Sequence, residues 1–190
     1  MRCAVIHYVK LPMTRADAEK LSAGDTVYLT GEMYVARDAA HKRFYELLLE
    51  GKELPIDIDG AAVYYMGPSP AREGRVIGSA GPTTSSRMDK YTPALIERGL
   101  RVMIGKGRRS DEVKEDARKY GAVYLAAVGG AGALLSEKIV SSAVICYGDL
   151  GAEAVRLIEV RDFPCIVALD TKGATSTKRD PCFLDKEIRV

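Results

Sequence analysis

Cysteine, charge of one sign and long apolar runs are all scarce in this chain, and each scarcity removes a class of function. Of the 190 residues four are cysteines, at positions 3, 146, 165 and 182. None is paired at C-x-x-C or similar spacing, so zinc-ribbon and local cluster signatures are absent and the chain lacks a ligand set for an iron–sulfur cluster. Cys146 and Cys165 lie inside apolar strand-like runs, which reads as buried structural thiol. No apolar run approaches the roughly 20 residues of a membrane span. The formal net charge is +2 with the signs interspersed, so no basic stripe argues for nucleic acid. The opening MRCAVIHYVKLP is too short and too interrupted for a signal peptide, so a cytoplasmic protein is expected. Tryptophan is missing too, which excludes nothing.

What remains is an ordinary globular composition, 47% apolar and 28% charged, long enough to bury a sizeable core. Thr14 is placed to cap a short helix, and Thr26–Thr30 and Met33–Ala36 read as two strands. Arg37–Glu50 is the clearest helix, with Ala40, Phe44, Leu47 and Leu48 on one face and Gly51 placed as a C-terminal cap. Ala61–Met66 and Val76–Ser79 read as strands, Asp111–Tyr120 as a charged surface helix, and Ala122–Val128 as an apolar strand. Gly129–Gly132 makes a glycine-rich corner before a helix at Ala133–Ile139, but its spacing does not match a dinucleotide fingerprint. Ser142–Cys146, Ala154–Val160 and Pro164–Leu169 complete roughly eight strands against four or five helices. The expectation is one α/β domain over residues 1–173, a mixed sheet flanked by helices, with a polar tail at 174–190.

The chemistry concentrates in Gly81–Lys106. A turn at Gly81-Pro82 presents Thr83, Thr84, Ser85 and Ser86, then Arg87 and Met88, and the segment closes on Gly105-Lys106-Gly107. Hydroxyls at a helix start, a fork-shaped cation and a lysine between glycines suit a bound carboxylate or phosphate. Arg37 and His41, i,i+4 neighbours at the start of the clearest helix, add an anion site with a titratable group beside it. Blander readings stand alongside. Arg37 can pair with Asp38, His41 can be semi-buried, the hydroxyls can cap a helix, and Lys106 can be solvated. From the residues alone, Arg37, Arg87 and Lys106 converging would suit a small dianion such as a dicarboxylate. They do not name a reaction.

The segments Ala36–Arg43, Tyr65–Pro68, Gly78–Met88 and Ile104–Gly107 resemble the β subunit of class I fumarate hydratase, whose family includes tartrate dehydratase. Val128–Ala131, Gly148–Ala154 and Asp162–Pro164 continue the resemblance, which covers roughly residues 20–173. It implies a swivelling β/α/β-type domain forming one wall of a composite site. It also implies a partner α subunit carrying three cysteines and a 4Fe-4S cluster whose open iron acts as Lewis acid. By motif match Arg37, Arg87 and Lys106 clamp the carboxylates of fumarate or malate. Thr83, with Thr84 beside it, is the proton-transfer group, and His41 serves acid–base chemistry or positioning. A homodimer of αβ units is implied as well. The alternatives are an L-tartrate dehydratase β subunit, or a module that binds carboxylate or phosphate without catalysis.

Overall fold

The computed structural model describes residues 4–71, 73–127 and 132–176. Val128–Ala131, most of the expected glycine corner, and the tail from 177 onward lie outside the described residues. Seven strands and five α-helices are present among the described residues. In chain order they are β1 (Ile6–Lys10), α1 (Arg15–Lys20), β2 (Thr26–Val35), α2 (Asp38–Leu49), β3 (Ala62–Tyr64), α3 (Thr92–Glu97), β4 (Val102–Gly105), α4 (Asp111–Tyr120), β5 (Val123–Ala126), α5 (Gly132–Ser136), β6 (Ile139–Cys146) and β7 (Val155–Leu169). Two 3₁₀ turns, Ser85–Met88 and Gly148–Glu153, complete the set.

β1 to β5 pair parallel in chain order, while β7 runs antiparallel to β2, β5 and β6. Because β7 bonds both β2 and β5, the strands β2-β3-β4-β5-β7 close into a ring. The expected α/β domain with a mixed sheet flanked by helices is what forms. β3, β4 and β5 are covered on both faces, which is why they read as unbroken apolar runs. Alternate residues divide between two cores. Leu29, Met33, Tyr64, Ile104, Leu125, Phe163 and Val167, drawn from all five ring strands, converge inside the ring. Val63, Tyr65, Met103 and Tyr124 point outward beneath α2, α3 and α4 with Phe44, Leu95 and Val113.

Several boundaries differ from the sequence reading. Thr26–Val35 is one strand rather than two, because Gly31 (φ 126°) takes up a register shift against β7. A Cβ at Gly31 would lie 2.8 Å from the Leu11 carbonyl oxygen, so the bend also needs the missing side chain. Val155–Leu169 is likewise one strand; its irregularity falls at Asp162 (φ 49°), whose amide donates to the Thr30 hydroxyl. Val76–Ser79 forms no strand: Val76 is half exposed, and Ser79 closes a loop by donating its amide to Ser69 Oγ. Residues 170–176 fold back on the sheet, with Ser176 donating its amide to the Ala168 carbonyl. The local signals fare better. Thr14 caps α1, Ser110 caps α4, and Gly121 ends α4 in the left-handed region (φ 75°). Among the described residues no helix is long and apolar enough to cross a membrane.

Candidate active site

The parallel strands β2, β3 and β4 end at Val35, Tyr64 and Gly105. Arg37 and Lys106 lie just past two of those carboxyl ends, and Thr83, Thr84 and Arg87 lie on the turn laid across them, the end of a parallel sheet at which α/β proteins bind ligands. Thr83 is fixed from both sides. Its amide and its hydroxyl both donate to the Tyr65 carbonyl (2.7 and 2.8 Å), and its own carbonyl accepts from the Lys106 amide. Thr84 forms a bridge with Lys106, and the Ser85 amide donates to the Lys106 carbonyl. Pro82 bridges Met66. The hydroxyl run is therefore stitched between β3 and β4 and does not act as a helix cap. The 3₁₀ turn that follows has no side-chain cap, and the buried Ser85 hydroxyl pairs with Tyr124 instead. Gly105 makes this seating possible, since a Cβ there would collide with Ser85 Oγ.

The cations arrive from two directions. Arg37 occupies the N-cap position of α2, and its Nη2 lies 3.3 Å from Glu153 Oε1 and 3.8 Å from Asp38 Oδ2. Gly67 lets this guanidinium lie flat against the loop after β3, because a Cβ would collide with Nη1. Arg87, on the 3₁₀ turn, places Nε 2.7 Å from Asp38 Oδ1 and remains half exposed. Lys106 is exposed, with no carboxylate in ion-pair range among the described residues. It opens onto a cleft of about 380 Å³ whose other walls include Gly67, Ser69, Ser79 and Pro82. The arrangement is a cleft lined by one cation, Lys106, with two further cations nearby on α2 and the 3₁₀ turn, each held by carboxylates.

A family model described as Fumarase C-terminus matches residues 4–179. The chain belongs to that family. It is 42% identical over 147 residues to the anaerobic class I fumarate hydratase of Escherichia coli (strain K12), covering 76% of this chain and 27% of that one. Fumarate hydratase 1, mitochondrial, of Leishmania major is 40% identical over 166 residues, 86% of this chain and 30% of that one. The L(+)-tartrate dehydratase subunit beta of Escherichia coli (strain K12) is 30% identical over 167 residues, 85% of this chain and 82% of that one. This fumarase C-terminal chain thus spans under a third of the fumarate hydratases and most of the tartrate dehydratase subunit.

His41 is fully buried rather than semi-buried. Its ring meets Tyr65 edge-on at 5.3 Å, and Nδ1 lies 2.9 Å from the Arg37 carbonyl oxygen, so Nδ1 carries the proton and donates. Burial pushes its pKa down to about 4, leaving the imidazole neutral near pH 7. Nε2 is buried without a hydrogen-bond partner among the described residues.

The donor set of the described residues, which excludes Cys3 and Cys182, does not fit an iron–sulfur cluster. Among the described residues no three His, Cys, Asp or Glu side chains converge. Cys165 is sealed inside the ring, where burial raises its thiol pKa, and Cys146 on β6 is half-buried and shifted the same way. Such thiols resist the deprotonation that ligation needs.

Three acidic residues central to this geometry escaped the sequence reading as site parts. Asp38 entered only as a neutralising neighbour of Arg37, yet its stronger contact is to Arg87. Glu153 accepts from the Ala39 amide, 114 positions away, with no local signal to betray it. Asp89 pairs with the buried Arg109 and accepts from the Ser110 amide, tying the 3₁₀ turn to α4.

Proposed function

We propose that this chain is the β subunit of a two-subunit iron–sulfur hydro-lyase, hydrating fumarate to malate reversibly together with a cluster-bearing α subunit. The observation that supports the reading is the placement of Arg37 and Lys106 at the ends of β2 and β4, with Thr83 and Arg87 on the turn laid across β3 and β4. Membership of the fumarase C-terminal family supports the same reaction class. Because the donor set of the described residues does not suit a cluster, the cluster is assigned to the partner.

In this chain's half of the reaction, a proton leaves the carbon next to a carboxylate, and negative charge spreads onto that carboxylate. Fixed cations lower the barrier because they need no reorganisation as the charge develops. Arg37 and Arg87 offer planar forks that match a carboxylate, and Lys106 supplies a point charge from the opposite strand end. Thr83 is assigned the proton transfer. Its hydroxyl hydrogen is directed at the Tyr65 carbonyl, which turns the oxygen lone pairs away from the backbone. A threonine hydroxyl is a weak base at its ordinary pKa, so it depends on the neighbouring cations to act. Thr84 lies beside it against Lys106. His41, neutral and anchored to the Arg37 carbonyl, sets the backbone that carries Arg37.

A second reading, an L-tartrate dehydratase β subunit, draws on the match across 82% of such a subunit. One experiment separates them. The chain is combined anaerobically with its cluster-loaded partner and offered fumarate and L-tartrate in turn. Turnover of fumarate is expected; turnover of tartrate alone moves the assignment to the second reading, and inactivity toward both overturns the enzyme proposal. In the active complex, Arg87→Ala is expected to lower kcat by roughly 100-fold. Co-purification with the partner should be unchanged, because Arg87 faces solvent rather than the core.

A further inference from the structure

We propose that Asp38 is the positioning residue of the arginine clamp: by engaging Nε of Arg87 from the first turn of α2, it turns the outer edge of that guanidinium toward a substrate carboxylate. The inference rests on the proposed hydro-lyase reading and names a residue that this reading leaves without a role. Arg87 and Asp38 sit on different elements, the 3₁₀ turn after β3 and the start of α2. Their contact, Oδ1 to Nε at 2.7 Å, is the ion pair that joins those two elements.

The choice of nitrogen matters. A guanidinium has two edges that suit a carboxylate fork, one made by Nε with an Nη and one by the two Nη groups. Asp38 lies at ion-pair distance from Nε, and neither Nη group of Arg87 makes a hydrogen bond among the described residues. An arginine held in this way cannot swing freely, so less rotamer entropy is lost when a ligand docks. Asp38 is the first residue of a twelve-residue helix, where the positive end of the helix dipole faces it. Its second oxygen, Oδ2, is buried, accepts no hydrogen bond among the described residues, and lies 3.8 Å from Arg37 Nη2. One carboxylate therefore sits between the two arginines and fixes their spacing.

The charges support positioning over neutralisation. Arg37 and Arg87 are paired with Asp38 and Glu153, and Lys106 has no carboxylate in ion-pair range among the described residues, so the three cations outnumber the two carboxylates, as an incoming dianion requires. A carboxylate whose task was only to favour the helix would not need its better oxygen on a residue of another element.

The test compares wild type with Asp38→Asn by two readouts. In the full chain alone, nitrogen-15 spectra of the arginine side chains follow exchange of the Arg87 Nε proton with solvent. That exchange is expected to accelerate at least about tenfold in Asp38→Asn. In the partner complex, KM for malate is expected to rise roughly tenfold while kcat changes less than about threefold. A role confined to helix stability would shift the melting temperature and leave both readouts alone. Equal Nε exchange in the two proteins, or an unchanged KM, overturns the role of Asp38. If Asp38→Asn does not fold, Arg87→Lys, which removes Nε at a half-exposed position, must reproduce the KM rise; a normal KM there overturns the proposal too. A wild-type complex inactive toward fumarate and tartrate overturns the hydro-lyase reading instead, and the Nε exchange then decides the Asp38 contact by itself.

Discussion

Burial separates the two histidines of the chain at the level of single residues. His41 is enclosed by Tyr65 and Phe44, and its pKa falls from 6.5 to about 4, with desolvation as the main cause and the Arg37 carbonyl opposing it. The unfolded chain therefore binds a proton near pH 6.5 that the folded chain refuses until about pH 4. His41's contribution to stability is complete above pH 6.5 and is lost as pH falls toward 4. The slope in that window is about 1.4 kcal/mol per pH unit, which sums to roughly 3 kcal/mol. Urea unfolding of wild type and His41→Asn at pH 7.5 and pH 4.5 should show wild type losing about 2–3 kcal/mol more than the variant. Parallel pH dependence in the two proteins would refute the assignment. The sequence placed His41 at the edge of the helix face with Ala40 and Phe44, but only the tertiary position of Tyr65 decides how deep the ring goes. Composition could name the titratable group and not its proton affinity.

At the level of elements, α2 shows how a helix start can be completed from far away. Its N-cap, Arg37, makes no side-chain capping bond, and Glu153 from the turn Gly148–Glu153 takes the Ala39 amide instead. Arg43 pairs with Asp149 on the same turn, so the helix and the turn are latched at two points. Glu153→Ala should cost about 1 kcal/mol. For a protein of this size that appears as a fall in Tm of roughly 2–4 °C by differential scanning calorimetry. An unchanged Tm would mean that water replaces the carboxylate without loss. This remote cap marks the limit of what was legible beforehand. α4 could be read because its caps, Ser110 and Gly121, and its apolar face are local, and α2 because its apolar face is. β2 and β7 could not be read as single strands, because Gly31 and Asp162 look like breaks until the partner strand supplies the bulge. Thr83, Arg87 and Lys106 stood out as residue types near one another in sequence, whereas the seating of Thr83 on Tyr65 depends on a pairing between strand ends.

Across the whole molecule, the buried pair Arg109–Asp89 binds the turn that carries Arg87 to the helical layer. Arg109 is almost fully buried, bonds Asp89 and Thr92, and lies over the rings of Tyr65 and Tyr124. Removing one partner of such a pair strands a charge in the core, so Arg109→Ala should cost about 3–5 kcal/mol in denaturant unfolding. A loss below about 1 kcal/mol would show that water reaches the site and that the pair counts as a surface one. The ring itself sets an order of events. β7 follows the other four ring strands in the chain, and it alone joins β2 to β5. During synthesis the parallel strands emerge first, with their outer edges unpaired, and cannot enclose the core until residue 169 has left the ribosome. Non-local closure of this kind folds slowly and exposes strand edges meanwhile. The nascent chain is therefore most vulnerable to aggregation late in translation, and a truncation ending before β7 would leave a sheet with two open edges.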